Sequence, residues 1–293
     1  MLSVKPDVAY LAEPLNPYIA GPLLSLERTC QYMYICEANE REYLPAFEAL
    51  RSFEYPFLRE LRSAGSLSNL LRVGKRGAVF AAARFRGARA LVKDPFAFFS
   101  SPWLASRLGF GVVVLVRHPG AVADSMKRLG WSFDFNHLLD QPLLMRDLLA
   151  PWEDEMRHQV GTGDIVAQAS LLWKIVYSTA ERFRSELKSV VFVRHEDLAE
   201  APLAGFVALY ERLGLEFDSR VERTIREFSD ERNPSPQQTS PAKALRLNSR
   251  ATTETWKARL SEGDQQRVLA ATAGVIEQFY PAEGSDAEVA GDS

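Results

Sequence analysis

The amino-acid sequence predicts an α/β fold, with helices layered on a mainly parallel β-sheet. Three observations carry this expectation. Short runs of β-branched and apolar residues recur along the chain and each ends in a charged residue, as strands buried on both faces do. Between them lie longer stretches with apolar residues at every third or fourth position, the period of a helix. Alternation of the two patterns implies parallel strands joined by helical crossovers. Finally, 293 residues with 46% apolar and 25% charged side chains suffice for one globular domain with a sizeable core.

The elements follow in chain order. The first strand, Val8–Ala12, ends at Glu13, and the second, Ala88–Val92, ends at Lys93-Asp94-Pro95. The third, Gly111–Val116, ends at Arg117; Pro119 then stops the ladder and starts a helix over 120–129, because proline suits the first helical turn. A long helix is expected over 165–188, with basic residues late, where the dipole favours them. The fourth strand, Val190–Val193, ends at Arg194-His195-Glu196-Asp197, and helices over 202–213 and 264–280 follow. Residues 229–250 are rich in Ser, Pro, Asn and Gln and read as a loop. Residues 282–293 are small and acidic and read as a disordered tail. The simplest division is one domain over 1–281.

Charge and cysteine usage exclude several classes. A net charge of -3 and a pI near 5.9 leave no global basic field, so no nucleic-acid partner is expected. No apolar run reaches the ~18 residues needed to span a bilayer. The N-terminal sequence lacks the basic-then-apolar pattern of a signal peptide. Cys30 and Cys36 suggest neither a disulfide framework nor a four-ligand zinc site. A cytoplasmic protein without a metal is expected.

In open α/β sheets, ligands bind beyond the carboxyl ends of the strands. Here those ends carry Glu13, Lys93, Arg117 and Arg194; they either converge on one crevice or simply reach solvent. The stretch from Val116 to Arg128 is more specific. Its strand ends on Arg117, and its helix offers free backbone N–H groups and a positive dipole end. Ser125 lies eight residues after Arg117, within reach of a strand-loop-helix turn. An arginine fork and a hydroxyl suit phosphate oxygens. The competing reading is an arginine paired with a carboxylate and a serine bonded within its own helix.

Four segments, LVKDPFAFFSSPWL, VVVLVRHPGAVADSMKRLGW, VVFVRHEDL and ETWKARLS, in this order and at these spacings, resemble the sulfotransferase family that uses 3′-phosphoadenosine 5′-phosphosulfate (PAPS). The resemblance covers roughly residues 7–281 and is most specific in the segment from Arg117 to Ser125. It implies a three-layer αβα, P-loop NTPase-like sulfotransferase fold with a central parallel sheet. It also implies transfer of a sulfuryl group from PAPS, the co-substrate, to a hydroxyl or amine of a small-molecule or carbohydrate acceptor.

By the same resemblance, Arg117 and Ser125 match the pair that holds the donor's 3′-phosphate. Glu13, before Pro14, matches a general base, the alternative being a carboxylate paired with a nearby arginine. Lys93 matches the catalytic cation that neutralises charge on the sulfuryl group and leaving oxygen. His195 stands where the family places an aromatic against adenine, and Phe228 and Ser229 resemble a second adenine-contacting segment. Arg250 resembles the basic end of a loop closing over the 3′-phosphate. Asp94 reads as a cap or ion-pair partner, Glu196 and Asp197 as structural residues, and Trp256 as a packing anchor. Residues 131–163, with Trp131, Phe133, Phe135 and Trp152, either line an acceptor pocket or pack.

The family begins with a strand, a phosphate-cradling loop and a helix, which this sequence lacks. Gly74-Lys75-Arg76-Gly77 lies in the wrong place and has no hydroxyl residues. Met1 therefore reads as an internal methionine of a chain longer by ~20–40 residues, about one strand-loop-helix unit, or else the chain is a non-catalytic nucleotide-binding remnant. A small-molecule kinase would need a Walker-type Gly-Lys-Ser/Thr, which is not visible.

Overall fold

In the computed structural model, residues 1–18, 30–62, 64–187, 190–234 and 248–281 are described. Most of the loop expected over 229–250, and all of the tail expected over 282–293, lie outside these residues. The architecture is mixed α/β, dominated by helices, with four short strands: β1 (Val8–Ala12), β2 (Arg89–Lys93), β3 (Val112–Val116) and β4 (Val190–Arg194). Each lies within one residue of its predicted range.

β1 pairs parallel with β2, placing Val8 opposite Arg89 and Ala12 opposite Lys93. β3 is hydrogen-bonded to β4. Among the described residues these are two separate ladders, where the sequence predicted one central sheet. Strands buried on both faces were also expected, but Tyr10 of β1 is 51% exposed and Leu115 of β3 is 48% exposed. β3 buries the face of Val114 and Val116 and exposes Leu115 on the other, while β1 buries Val8 and Leu11 and exposes Tyr10 and Ala12.

The helices Pro119–Leu129, Ile165–Glu186 and Pro202–Arg212 lie close to their predicted ranges. The helix expected over 264–280 is shorter, running Glu262–Thr272 and capped by the Ser261 hydroxyl, which accepts from the Asp264 amide. Ala273 leaves the helical region and Gly274 adopts φ +80°, a left-handed turn that a glycine makes at little steric cost. Helices Glu40–Arg51, Leu67–Phe85 and Ser219–Ser229 are further elements. Pro45 inside the first, and Gly74 and Gly77 inside the second, break the local pattern from which a helix is read. The Gly74–Gly77 stretch is thus helical.

The chain divides into two compact units that interleave in sequence. The first comprises Met1–Val112, Asn136–Asp147 and Phe206–Arg226; the second comprises Val113–Phe135, Leu148–Gly205 and Glu227–Ser293. In the first unit, Leu11 and Leu15 from the β1 region join Phe47, Leu50, Phe80 and Trp103 in a buried cluster. A smaller cluster of Tyr210, Val221 and Ile225 receives Met1, Leu2 and Val4, and the Tyr210 hydroxyl donates to the Met1 carbonyl at 3.0 Å. In the second unit, Ala121, Ala123, Val166, Ala169, Trp256, Leu260 and Val268 form the core. Gly120 meets Trp256 so closely that a Cβ there would lie 2.5 Å from the indole. Burial of these apolar side chains is the main stabilising term in each unit.

Candidate functional site

In the first unit, the parallel register sets the carboxyl ends of β1 and β2 side by side. The Glu13 amide donates to the Lys93 carbonyl at 2.8 Å, extending the ladder by one bond. The Glu13 carboxylate ion-pairs with the Lys93 ammonium and accepts from the Asn16 side-chain amide at 2.7 Å. Burial alone would push this carboxyl up, but the hydrogen bonds from Lys93 and Asn16 and the Lys93 charge outweigh it and hold it below the usual range. Glu13 sits at φ +44°, an uncommon conformation for a residue with a Cβ, and such strain concentrates at functional positions. Asp94 acts as a cap: it accepts from the Phe96 amide at 2.9 Å and the Leu15 amide at 2.6 Å. It thereby ties the segment after β1 to the segment after β2.

In the second unit, β3 delivers Arg117 to the start of the Pro119–Leu129 helix. The long helix Ile165–Glu186 fixes the backbone there. Its Trp173 indole donates to the Arg117 carbonyl at 2.8 Å, and the Tyr177 hydroxyl accepts from the Arg117 amide at 3.3 Å and donates to the Leu115 carbonyl at 3.0 Å. Trp173 and Tyr177 are four residues apart, so one helix face presents both. Arg117 Nε is buried with no hydrogen-bond partner, and so is His195 Nδ1. Among the described residues the Arg117 guanidinium has no carboxylate partner. Buried polar atoms are nearly always satisfied, and leaving one unpaired costs about 1–3 kcal/mol. Burial, and then the Arg117 charge, hold the His195 imidazole below its ordinary pKa against the pull of Glu196.

A second network braces this corner. The Glu196 carboxylate accepts from the His118 amide at 3.1 Å and from the Tyr280 hydroxyl at 2.7 Å. The His118 ring stacks on Trp256 at 4.5 Å and 17°, and its Nδ1 accepts from the Gly120 amide at 3.1 Å, capping the Pro119–Leu129 helix. Asp197 pairs with Arg194. His118, Tyr177 and Tyr280 were not singled out from the sequence. Their aromatic rings lie far apart along the chain and show no common spacing; only the Trp173–Tyr177 interval could have been found.

Ser125 lies on the second turn of the Pro119–Leu129 helix, half-buried, and its hydroxyl forms no bond within that helix among the described residues. Ser229 ends the Ser219–Ser229 helix. Arg250 starts the short helix Arg250–Thr253 and is already engaged: its Nε and Nη2 donate to the Glu200 carbonyl at 3.2 and 3.1 Å, and its Nη1 pairs with Glu231 at 2.9 Å. A phosphate would have to displace those partners. Phe133 and Phe135 are buried against each other, with ring centroids 5.0 Å apart, so they pack. Trp131 is 62% exposed, and Trp152 lies beneath the Lys174 ammonium at 4.8 Å. No cluster of His, Cys, Asp and Glu able to hold a metal occurs among the described residues.

No protein-family model and no curated protein matches the sequence. Two solved structures are similar to it. The sulfotransferase domain from the curacin biosynthetic pathway aligns at 15% identity and TM-score 0.39, over 76% of this chain and 77% of that one. The sulfotransferase domain from the Synechococcus PCC 7002 olefin synthase aligns at 14% identity and TM-score 0.39, over 74% of each chain.

The histidine cap gives the second unit an acid sensitivity. Burial, with Lys257 adding to it and Glu196 opposing it, lowers the His118 pKa to about 4. The unfolded chain therefore takes up the proton first on acidification. Its contribution is fully present above pH ~6.5 and is lost as pH falls towards the folded value. Thermal melts of wild type and His118→Asn should diverge least below pH ~4 and most above pH ~6.5. Parallel melting curves across that window would show that His118 does not set the acid limb. Asparagine is chosen because it can still cap a helix.

Proposed function

We propose that this chain transfers a sulfuryl group from PAPS to a hydroxyl or amine of a small-molecule or carbohydrate acceptor. The observation that carries the proposal is the unpaired buried Nε of Arg117, beside a histidine whose Nδ1 is also unpaired. A guanidinium fixed at a strand end, without a carboxylate to neutralise it among the described residues, is suited to an anionic oxygen. In this reading Arg117 and the Ser125 hydroxyl hold the 3′-phosphate, and His195 and Ser229 border the adenine. Arg250 swings from Glu200 and Glu231 onto the donor.

Glu13 takes the acceptor's proton as the acceptor oxygen or nitrogen bonds to sulfur. The bond from sulfur to the bridging phosphate oxygen breaks, and adenosine 3′,5′-bisphosphate leaves carrying the electron pair. Lys93 shifts from Glu13 towards the charge that grows on the leaving oxygen and neutralises it in the transition state. No metal takes part in this scheme.

A second reading, a nucleotide-binding protein without catalysis, is favoured by one set of contacts. Lys93 and Arg250 are both occupied by protein acceptors, and the Gly-rich basic stretch is helical. Calorimetric titration with adenosine 3′,5′-bisphosphate and with ATP, followed by a transfer assay from PAPS, separates the readings. Tighter binding of the bisphosphate with transfer supports the sulfotransferase. Binding without transfer to a panel of phenol, alcohol, amine and sugar acceptors supports the second reading. Equal affinity for ATP, or no binding, would overturn both.

A further inference from the structure

The Leu67–Phe85 helix carries its apolar residues on two opposite faces. One face, with Val73, Phe80 and Ala83, is buried in the first unit, where Phe80 meets Phe53 at 5.9 Å and Tyr55 at 5.2 Å. The other face should be polar if it met only water. Instead Leu67, Leu71, Ala78 and Phe85 follow one another at intervals of four, seven and seven residues, which places them on one stripe of a helix with 3.6 residues per turn. Leu67 is 80% exposed, Leu71 76% and Phe85 93%. The neighbouring helix Phe57–Arg62 adds Leu58, at 68% exposure. Among the described residues nothing covers this stripe.

Charge identifies the occupant. From Phe57 to Arg89 the sequence carries eight lysines and arginines and one acidic residue, Glu60, although the chain as a whole carries a net -3. Arg62, Arg72 and Lys75 have no carboxylate partner among the described residues. An apolar stripe flanked by basic side chains has the composition of a helix lying in the interface of an anionic membrane. The stripe enters the acyl boundary and the cations meet the headgroups. A second copy of the chain fits poorly, because a two-fold contact would set this basic surface against itself.

We propose that the exposed face of the Leu67–Phe85 helix, with Leu58, docks the protein peripherally on an anionic phospholipid surface. No helix among the described residues is long and apolar enough to cross a membrane, so the contact is interfacial. The proposal is independent of the sulfuryl-transfer reading.

The test is co-sedimentation of the full chain with phosphatidylcholine vesicles, with and without phosphatidylserine. Binding should require phosphatidylserine and weaken with added salt, as charge attraction does. Leu67→Ser with Leu71→Ser should lower the partition coefficient about tenfold or more, and so should Arg72→Glu with Lys75→Glu. These side chains are exposed, so circular dichroism and the melting temperature should stay at wild-type values. Absence of binding, equal binding to both vesicles, or variants that bind like wild type would each overturn the proposal. So would sedimentation equilibrium showing a wild-type dimer that the leucine variant converts to monomer.

Discussion

Glu13→Gln should lower the turnover of sulfuryl transfer by ~10²- to 10⁴-fold, the usual contribution of a positioned general base, while leaving affinity for adenosine 3′,5′-bisphosphate unchanged. Glutamine keeps the shape of the side chain and can still accept from Asn16, but it cannot take a proton. The pairing with Lys93 sharpens the expectation. Together with Asn16, Lys93 holds the Glu13 carboxyl below its ordinary range, which keeps it ionised but makes it a weak base. In the proposed mechanism Lys93 turns towards the leaving group, which releases that restraint and raises the basicity of Glu13 as the acceptor loses its proton. Lys93→Met should therefore shift the acidic limb of the pH–rate profile to higher pH, in addition to slowing the reaction. Wild-type turnover by Glu13→Gln would remove Glu13 from the chemistry. An unmoved acidic limb in Lys93→Met would show that the pair does not tune the base.

Arg117→Ala should weaken binding of adenosine 3′,5′-bisphosphate by more than tenfold, because each charge-assisted hydrogen bond contributes about 1.5–3 kcal/mol. Arg117→Lys should fall between, since an ammonium keeps the charge but loses the planar fork. The stability of the ligand-free protein should move the other way. Arg117 Nε is buried without a partner, so its removal relieves a desolvation cost. The unliganded melting temperature should hold or rise while the ligand-induced shift disappears. A structural arginine would behave oppositely, with a fall in unliganded stability and little change in affinity. Calorimetry and thermal melts on the same preparations distinguish the two.

The four strands and the three internal helices beside them were legible because each rests on a local pattern: an apolar run with a charged end, or a period of three to four residues closed by a proline or glycine. The Glu13–Lys93 pair was partly legible. Both positions follow from strand ends, but their contact follows from the parallel register of β1 and β2, which no local pattern encodes. The bracing of Arg117 by Trp173, and of His118 by Glu196, Trp256 and Tyr280, depends on residues 56 to 162 positions apart in the sequence. Such contacts come from packing rather than from neighbours in the chain. The helix Leu67–Phe85 escaped because Gly74 and Gly77 interrupt its pattern and because its apolar residues, lying on both faces, match no single amphipathic template.

The two units interleave, and that bears on how the chain comes to fold. The first unit is assembled from three stretches, the last of which ends at Arg226. Neither unit can close on a contiguous piece of sequence, because each waits for segments made after parts of the other. Assembly from distant segments must meet loop-closure entropy before contacts compensate for it, and chains with such non-local pairing fold slowly. During synthesis the β1–β2 ladder and its helices would emerge long before Phe206–Arg226 arrives to complete them. Fragments cut at the segment boundaries should expose unfinished apolar surface and aggregate more readily than the full chain.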